Sequence, residues 1–146
     1  MTDAYEISAD AERLDVPLIH RWLTESSYWA AGIPRDIVDR AIANSLNFGV
    51  YHHSDGQVGF ARVISDRATF AYLADVFVLD AHRGKGLSKR LMAAVLAHPE
   101  LQGLRRWTLA TRDAHTLYEQ FGFTQPKVAN RFMERVDPDI YKRLKG

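Results

Sequence analysis

Between residues 82 and 91 the chain reads HRGKGLSKRL, which sets His82, Arg83, Lys85, Lys89 and Arg90 around two glycines where an apolar helical pattern begins. The first turn of a helix carries unsatisfied N–H groups and a partial positive charge, so cations gathered there are locally unfavourable. Gly84 and Gly86 allow a tight turn and bring successive N–H groups close to a ligand, a nest for an anion. From 81 to 107 there are six Lys or Arg (Arg83, Lys85, Lys89, Arg90, Arg105, Arg106) against one acid, Glu100. The chemistry these residues suit is capture of a phosphorylated ligand. A solvated basic helix end with glycine as loop punctuation fits the same residues. Neither the P-loop spacing nor the G-x-G-x-x-G dinucleotide fingerprint is present.

Asp75 is the other residue whose setting demands an explanation. It is the only acid in the apolar run 68–79, and a carboxylate there must be hydrogen-bonded, paired or raised in pKa. His52, His53, His82, His98 and His115 are scattered without metal-ligand spacing, and His20 sits on an amphipathic pattern. Each reads as a surface or capping histidine, and no metal site is expected.

These residues need elements to hold them. YEIS (5–8) reads as an opening strand. Asp15 then Val16-Pro17 starts a helix with Leu18, Ile19, Trp22 and Leu23 on one stripe. A second helix begins near Pro34, with Ile37, Val38, Ala41 and Ile42 on one face and Leu46 close to its end. FGVYHH and QVGFARVI are strands joined by SDG, and ATFAYLADVFVLD (68–80) is a long buried strand. After the glycine turn, Leu87, Leu91 and Val95 mark the helix ended by Pro99. RRWTLAT (105–111) is a further strand, and Asp113 is expected to cap a short helix holding Leu117, Tyr118 and Phe121, closed by a left-handed Gly122. KVANRFMERV is expected as a last strand and DPDIYKRL as a terminal helical turn. The order implies an α/β (α+β) fold with a mixed, mostly antiparallel sheet and helices on both faces.

The chain of 146 residues is about the size of one domain, and no repeat or linker divides 1–146. A net charge of +1 speaks against a surface built for nucleic acid or membrane. The absence of cysteine excludes disulfides, thiolate catalysis and cysteine-ligated metals. The N-terminus MTDAYEISADAERLD carries acids where a signal peptide has a basic then apolar stretch, and no run approaches a membrane span, so a cytoplasmic protein is expected.

VFVLDAHRGKGLSKRLM resembles the acetyl-CoA signature of the GNAT superfamily (Gcn5-related N-acetyltransferases), R/Q-x-x-G-x-G/A after a strand, with Arg83, Gly84, Lys85, Gly86, Leu87 and Ser88 at the six positions. Ser88 stands where the family has Gly or Ala. TLYEQFGF (116–123) resembles the family's L-Y-x-x-x-G-F stretch. Both motifs are in register, and the resemblance covers residues 48 to about 136.

The resemblance implies a single GNAT domain with a splayed parallel strand pair and acetyl-CoA as cosubstrate. Val76, Phe77 and Val78 would bind the pantetheine arm, and Arg83 through Ser88, with Lys89 close by, the pyrophosphate. Tyr118 matches the tyrosine that protonates the departing coenzyme A sulfur; as a core aromatic beside Leu117 and Phe121 it would need no such role. Asp75 would receive the amine proton through water or anchor a cationic substrate. Some relatives carry a glutamate just before it, where this chain has Ala74. Asp113 lies where many relatives have a coenzyme-contacting asparagine, though capping alone accounts for it. The segment TESSYWAAGIPR between the first two helices is the family's usual acceptor region, with Tyr28 and Trp29 as a lid or aromatic wall for an amine. Arg62, Ser65 and Asp66 would face the same opening. The implied acceptor is a small-molecule amine or a peptide, and the implied assembly a homodimer. Two other classes fit less well: a coenzyme-binding module without turnover, and a nucleic-acid binder using the six Lys and Arg residues as a phosphate track.

Overall fold

The computed structural model describes residues 3–144. Five strands, β1 (Tyr5–Ser8), β2 (Leu46–His52), β3 (Gly56–Ser65), β4 (Phe70–Val78) and β5 (Arg106–Leu109), form one sheet in sequence order. The first three pairings are antiparallel and β4–β5 is parallel. A parallel pair needs a crossover, and α3 (Leu87–Ala97) supplies it. Helices α1 (Val16–Ser26) and α2 (Arg35–Ala43) lie between β1 and β2 in the chain, and α4 (His115–Glu119) and α5 (Ile140–Leu144) follow β5. No described helix is long and apolar enough to cross a membrane.

Strand alternation, shifted in phase on β3 by the β2–β3 irregularity next to Val50, divides the apolar residues between two cores. Val58, Ala61, Val63, Ala71 and Leu73 meet Leu87, Leu91, Met92 and Val95 of α3 on one face. Phe60 and Phe77 meet Ile19 and Leu23 of α1 and Val38 of α2 on the other. The i, i+4, i+8 stripe of α3 is thus the buried one, as its spacing predicts. Asp15 caps α1 by accepting from the Leu18 N–H at 3.1 Å, with Pro17 in the first turn.

Two boundaries differ from the sequence expectation. Ser45 Oγ and Asn44 Nδ2 donate to the Ala41 and Arg40 carbonyls at the end of α2, so the helix stops at Ala43 and Leu46 opens β2. The strand expected over 127–136 is absent, and only a 3-10 turn (Ala129–Arg131) occurs there. Its apolar residues come in adjacent pairs, Val128-Ala129 and Phe132-Met133, so neither face of a strand would be uniformly apolar. Phe132 instead lies beneath the Arg106 guanidinium, 5.1 Å from the ring centroid, while Met133 is 96% exposed.

Candidate active site

Gly84 and Gly86 both adopt positive φ, +79° and +73°, and Gly86 is the N-cap of α3 without any side-chain cap. A Cβ at either glycine would meet nothing within 4 Å, so the space above the turn is open. Among the described residues, the backbone N–H groups of Gly84 through Lys89 have no acceptor. That leaves a row of donors for an anion, as the glycine spacing predicts.

The side chains around the turn are less concentrated than the sequence suggests. Arg83 donates to the Val78 carbonyl and pairs with Asp80 at 3.1 Å. Arg90 pairs with Asp3 at 2.7 Å and donates to the Tyr5 carbonyl. Arg106 covers Phe132. Lys85 and Lys89 are left without an ionic partner among the described residues, close to the open donors. His82, expected at the surface, is buried: its Nε2 donates to Asp55 at 2.9 Å and its Nδ1 accepts from the Tyr5 hydroxyl at 2.7 Å. The entry to the turn is thereby fixed to β1 and to the β2–β3 hairpin. His98 and His52 do act as caps, accepting from Glu100 N–H and from Ser54 and Asp55 N–H.

Strands β4 and β5 pair from Phe70↔Arg106 to Leu73↔Leu109 and no further. From Ala74 to Val78 the β5-facing edge of β4 is therefore open, the splay that the resemblance implies. Val76, Phe77 and Val78 all lie on this stretch. The β3–β4 register shifts between Phe60↔Phe77 and Arg62↔Ala74, which places an extra residue on β4. Asp75 takes it up with φ +57°, a left-handed conformation that Asp tolerates better than most side chains. The bulge changes the phase of the strand. Ala71 and Leu73 belong to the α3-side core, yet two residues beyond Asp75 Phe77 belongs to the other core.

A cavity of about 470 Å³ opens beside this bulge, bounded by α1, α2, the splay and α4. Asp75, Arg62, Trp29 and Tyr118 all line it. Asp75 Oδ1 accepts from the Trp29 indole N–H and Oδ2 from Arg62 Nε, both at 2.8 Å. Tyr28 is held from the other side of the opening. Its hydroxyl accepts from the Arg112 N–H at 3.1 Å, and the Arg112 guanidinium stacks 3.9 Å from its ring centroid. His20 and Thr24 of α1 both donate to the Ile33 carbonyl, pinning the far end of the same loop. Trp22 stacks on Phe77 at 4.3 Å and supports Trp29.

Tyr118 sits on α4, whose end is closed by Phe123 N–H donating to the Tyr118 carbonyl and Gly122 N–H to that of Glu119, with Gly122 at φ +89°. The side chain is 8% exposed, and its hydroxyl faces the cavity with no hydrogen-bond partner among the described residues. Burial, with Tyr28 and Asp113 adding to it, raises its pKa above the ordinary phenol value. Asp113 does not cap α4: the N-cap is Ala114, whose N–H is satisfied by Thr111 Oγ1, and Asp113 lines the cavity instead. Ser65 and Asp66 do not reach it. They build the β3–β4 turn, where Asp66 accepts from the N–H groups of Ala68, Thr69 and Phe70. Sequence reasoning missed the Trp29–Asp75–Arg62 connection and Tyr141, which α5 brings to the cavity wall.

Residues 44–125 match the model of the acetyltransferase (GNAT) domain. A Gibberella zeae protein assigned as an acetyltransferase is 32% identical, with 78% of this chain and 75% of that protein covered. A crystal structure from Xanthomonas campestris pv. campestris, assigned as a GNAT-family acetyltransferase, is 56% identical over 97% of this chain and 99% of its own, with a TM-score of 0.91. Glucosamine-6-phosphate N-acetyltransferase from Arabidopsis thaliana shares the fold at 14% identity, TM-score 0.65, with 92% and 99% of the two chains covered.

Proposed function

The chain belongs to the GNAT family of acetyltransferases, and from that premise we propose that it moves an acetyl group from acetyl-CoA directly to a primary amine, with Tyr118 as general acid. The observation that carries the proposal is the unpartnered Tyr118 hydroxyl, carried by an otherwise buried side chain that lines the cavity beside the open edge of β4.

Acetyl-CoA supplies an acetyl thioester; the neutral amine nitrogen bonds to its carbonyl carbon, the C–S bond breaks, and the thiolate needs a proton. Tyr118 gives that proton and regains one from solvent. A phenol whose pKa lies above about 10 is fully protonated at neutral pH, as the role requires. The amine loses one proton to solvent before attack and one after, and because it attacks the thioester directly no covalent enzyme intermediate is needed. The free N–H groups of Gly84 through Lys89, with the ammonium groups of Lys85 and Lys89, would hold the pyrophosphate. Backbone groups of Val76, Phe77 and Val78 would take the pantetheine arm along the open β4 edge.

In this reading Asp75 is a positioning residue instead of the base, because both its oxygens already accept hydrogen bonds. It fixes Trp29 as one wall of the acceptor cavity, and Tyr28 closes the adjoining side. The test is thermal unfolding with acetyl-CoA, coenzyme A, ATP and a DNA duplex, followed by coenzyme A release with a panel of amines. A ligand at a hundred times its Kd stabilises by about 2.7 kcal/mol, a shift of several degrees. Stabilisation by acetyl-CoA and amine-dependent thiol release support the proposal; a shift with DNA alone, or none, defeats it.

A further inference from the structure

Resting on that reading, we infer that the amine acceptor carries a carboxylate close to its nitrogen, held by Arg62: an amino acid with an apolar or aromatic side chain. Arg62 lies in the middle of the sheet, yet it lines the cavity. Two contacts fix its guanidinium, Nε to Asp75 Oδ2 at 2.8 Å and Nη1 to Ser45 Oγ at 3.1 Å. Ser45 is itself held by the Ala41 carbonyl. Nη2 has no acceptor among the described residues, nor is it among the buried polar atoms that lack a partner, so it meets the open space of the cavity. An arginine carries five N–H donors, and two are used here. The remaining fork of Nη1 and Nη2 hydrogens suits the two oxygens of a carboxylate.

The charges on the walls fit the same acceptor. Asp75 balances Arg62, and the Trp29 indole further satisfies Asp75, so the pair presents donors more than net charge. On the far side of β4, Asp113 also lines the cavity and suits an incoming ammonium group. Apart from Thr111, the rest of the wall is apolar or aromatic, with Ile33, Ile37, Val38, Tyr72 and Tyr141 among its residues. The register places Arg62 opposite Ala74, where the splay begins. Arg62 therefore stands on the strand next to the point where the β4 edge opens, and its side chain and that edge line the same cavity.

The experiment compares phenylalanine, leucine and glycine, each with its amide and its decarboxylated amine, as acceptors for the wild-type protein with acetyl-CoA. Coenzyme A release and product mass are read together. The amide also stands for a peptide N-terminus. The free acids of phenylalanine and leucine should exceed their amides and amines in kcat/KM by about tenfold or more. Arg62→Lys keeps a charge for Asp75 but loses the planar fork, and should reduce that preference to about threefold or less. Equal or better turnover of the amide or the amine by the wild-type protein overturns the inference and leaves acetyl transfer to amines standing. Acetylation of none of these compounds also overturns it; if acetyl-CoA then leaves the unfolding temperature unmoved, the proposed function falls as well.

Discussion

Trp29 and Asp75 are 46 residues apart in the chain and joined by a hydrogen bond of 2.8 Å. One stands on the loop after α1, the other on the bulge of β4, so the bond fixes the loop proposed to face the acceptor to the strand that would carry the thioester. With Arg62 on its second oxygen, Asp75 is nearly out of solvent and each of its oxygens accepts a hydrogen bond. Asp75→Asn removes the charge that balances Arg62 and weakens one of the two bonds. It should cost about 2–3 kcal/mol in urea unfolding. The shape of the kcat pH profile should not change, since a positioning residue does not exchange the proton; loss of one limb would restore Asp75 as the base.

The glycine turn gives a prediction that separates binding from chemistry. Gly86→Ala places a methyl group on a residue at φ +73° and at the mouth of the anion nest. The strain costs about 1–2 kcal/mol of stability. Acetyl-CoA binding, measured by calorimetry, should weaken by about tenfold or more, and amine turnover at saturating acetyl-CoA should fall much less. An unchanged Kd would show that the turn does not hold the pyrophosphate.

Tyr28 is exposed but latched by Arg112 on the opposite side of the cavity. Tyr28→Ala removes the ring and both contacts, of which the cation–π part is worth about 0.5–1 kcal/mol. The acceptor KM should rise by about threefold to tenfold, with the acetyl-CoA KM unchanged. Steady-state kinetics with each substrate varied in turn reads both, and a change confined to acetyl-CoA would contradict a role in the acceptor wall.

Alkaline stability follows from two tyrosines. Burial raises the pKa of both Tyr118 and Tyr51 above the unfolded value near 10. The folded chain then holds those protons more tightly than the unfolded chain. Their contribution is fully present below about pH 10 and is lost as pH rises through the folded values. Urea midpoints should be flat from pH 8 to about 9.5 and fall above it, more shallowly in Tyr118→Phe.

Much of this arrangement was legible because it is local in sequence. The glycine turn, the stripe of Leu87, Leu91 and Val95, and the Gly122 closure each depend on residues within a few positions of one another. What escaped depends on tertiary partners. Arg90 reads as part of a basic cluster until Asp3 is brought to it by β1. Asp113 reads as a cap until Thr111 satisfies the Ala114 N–H in its place. The β4 bulge leaves no mark on an aromatic and β-branched run, since alternation cannot reveal where an extra residue is absorbed. The apolar residues of 127–136 resemble a strand in composition, but their adjacent pairing gives no single face to bury.

The most direct test of the account is Tyr118→Phe, a change that keeps the ring within its core contacts and removes only the hydroxyl that faces the cavity. Acetyl-CoA affinity and the single-turnover rate with a saturating amine would be measured across pH 6–10. A general-acid role for Tyr118 predicts a Kd within about twofold of wild type and a rate lower by about 10²-fold or more, the usual worth of general acid catalysis. A rate within about twofold of wild type across that range would contradict it and remove Tyr118 from the chemistry.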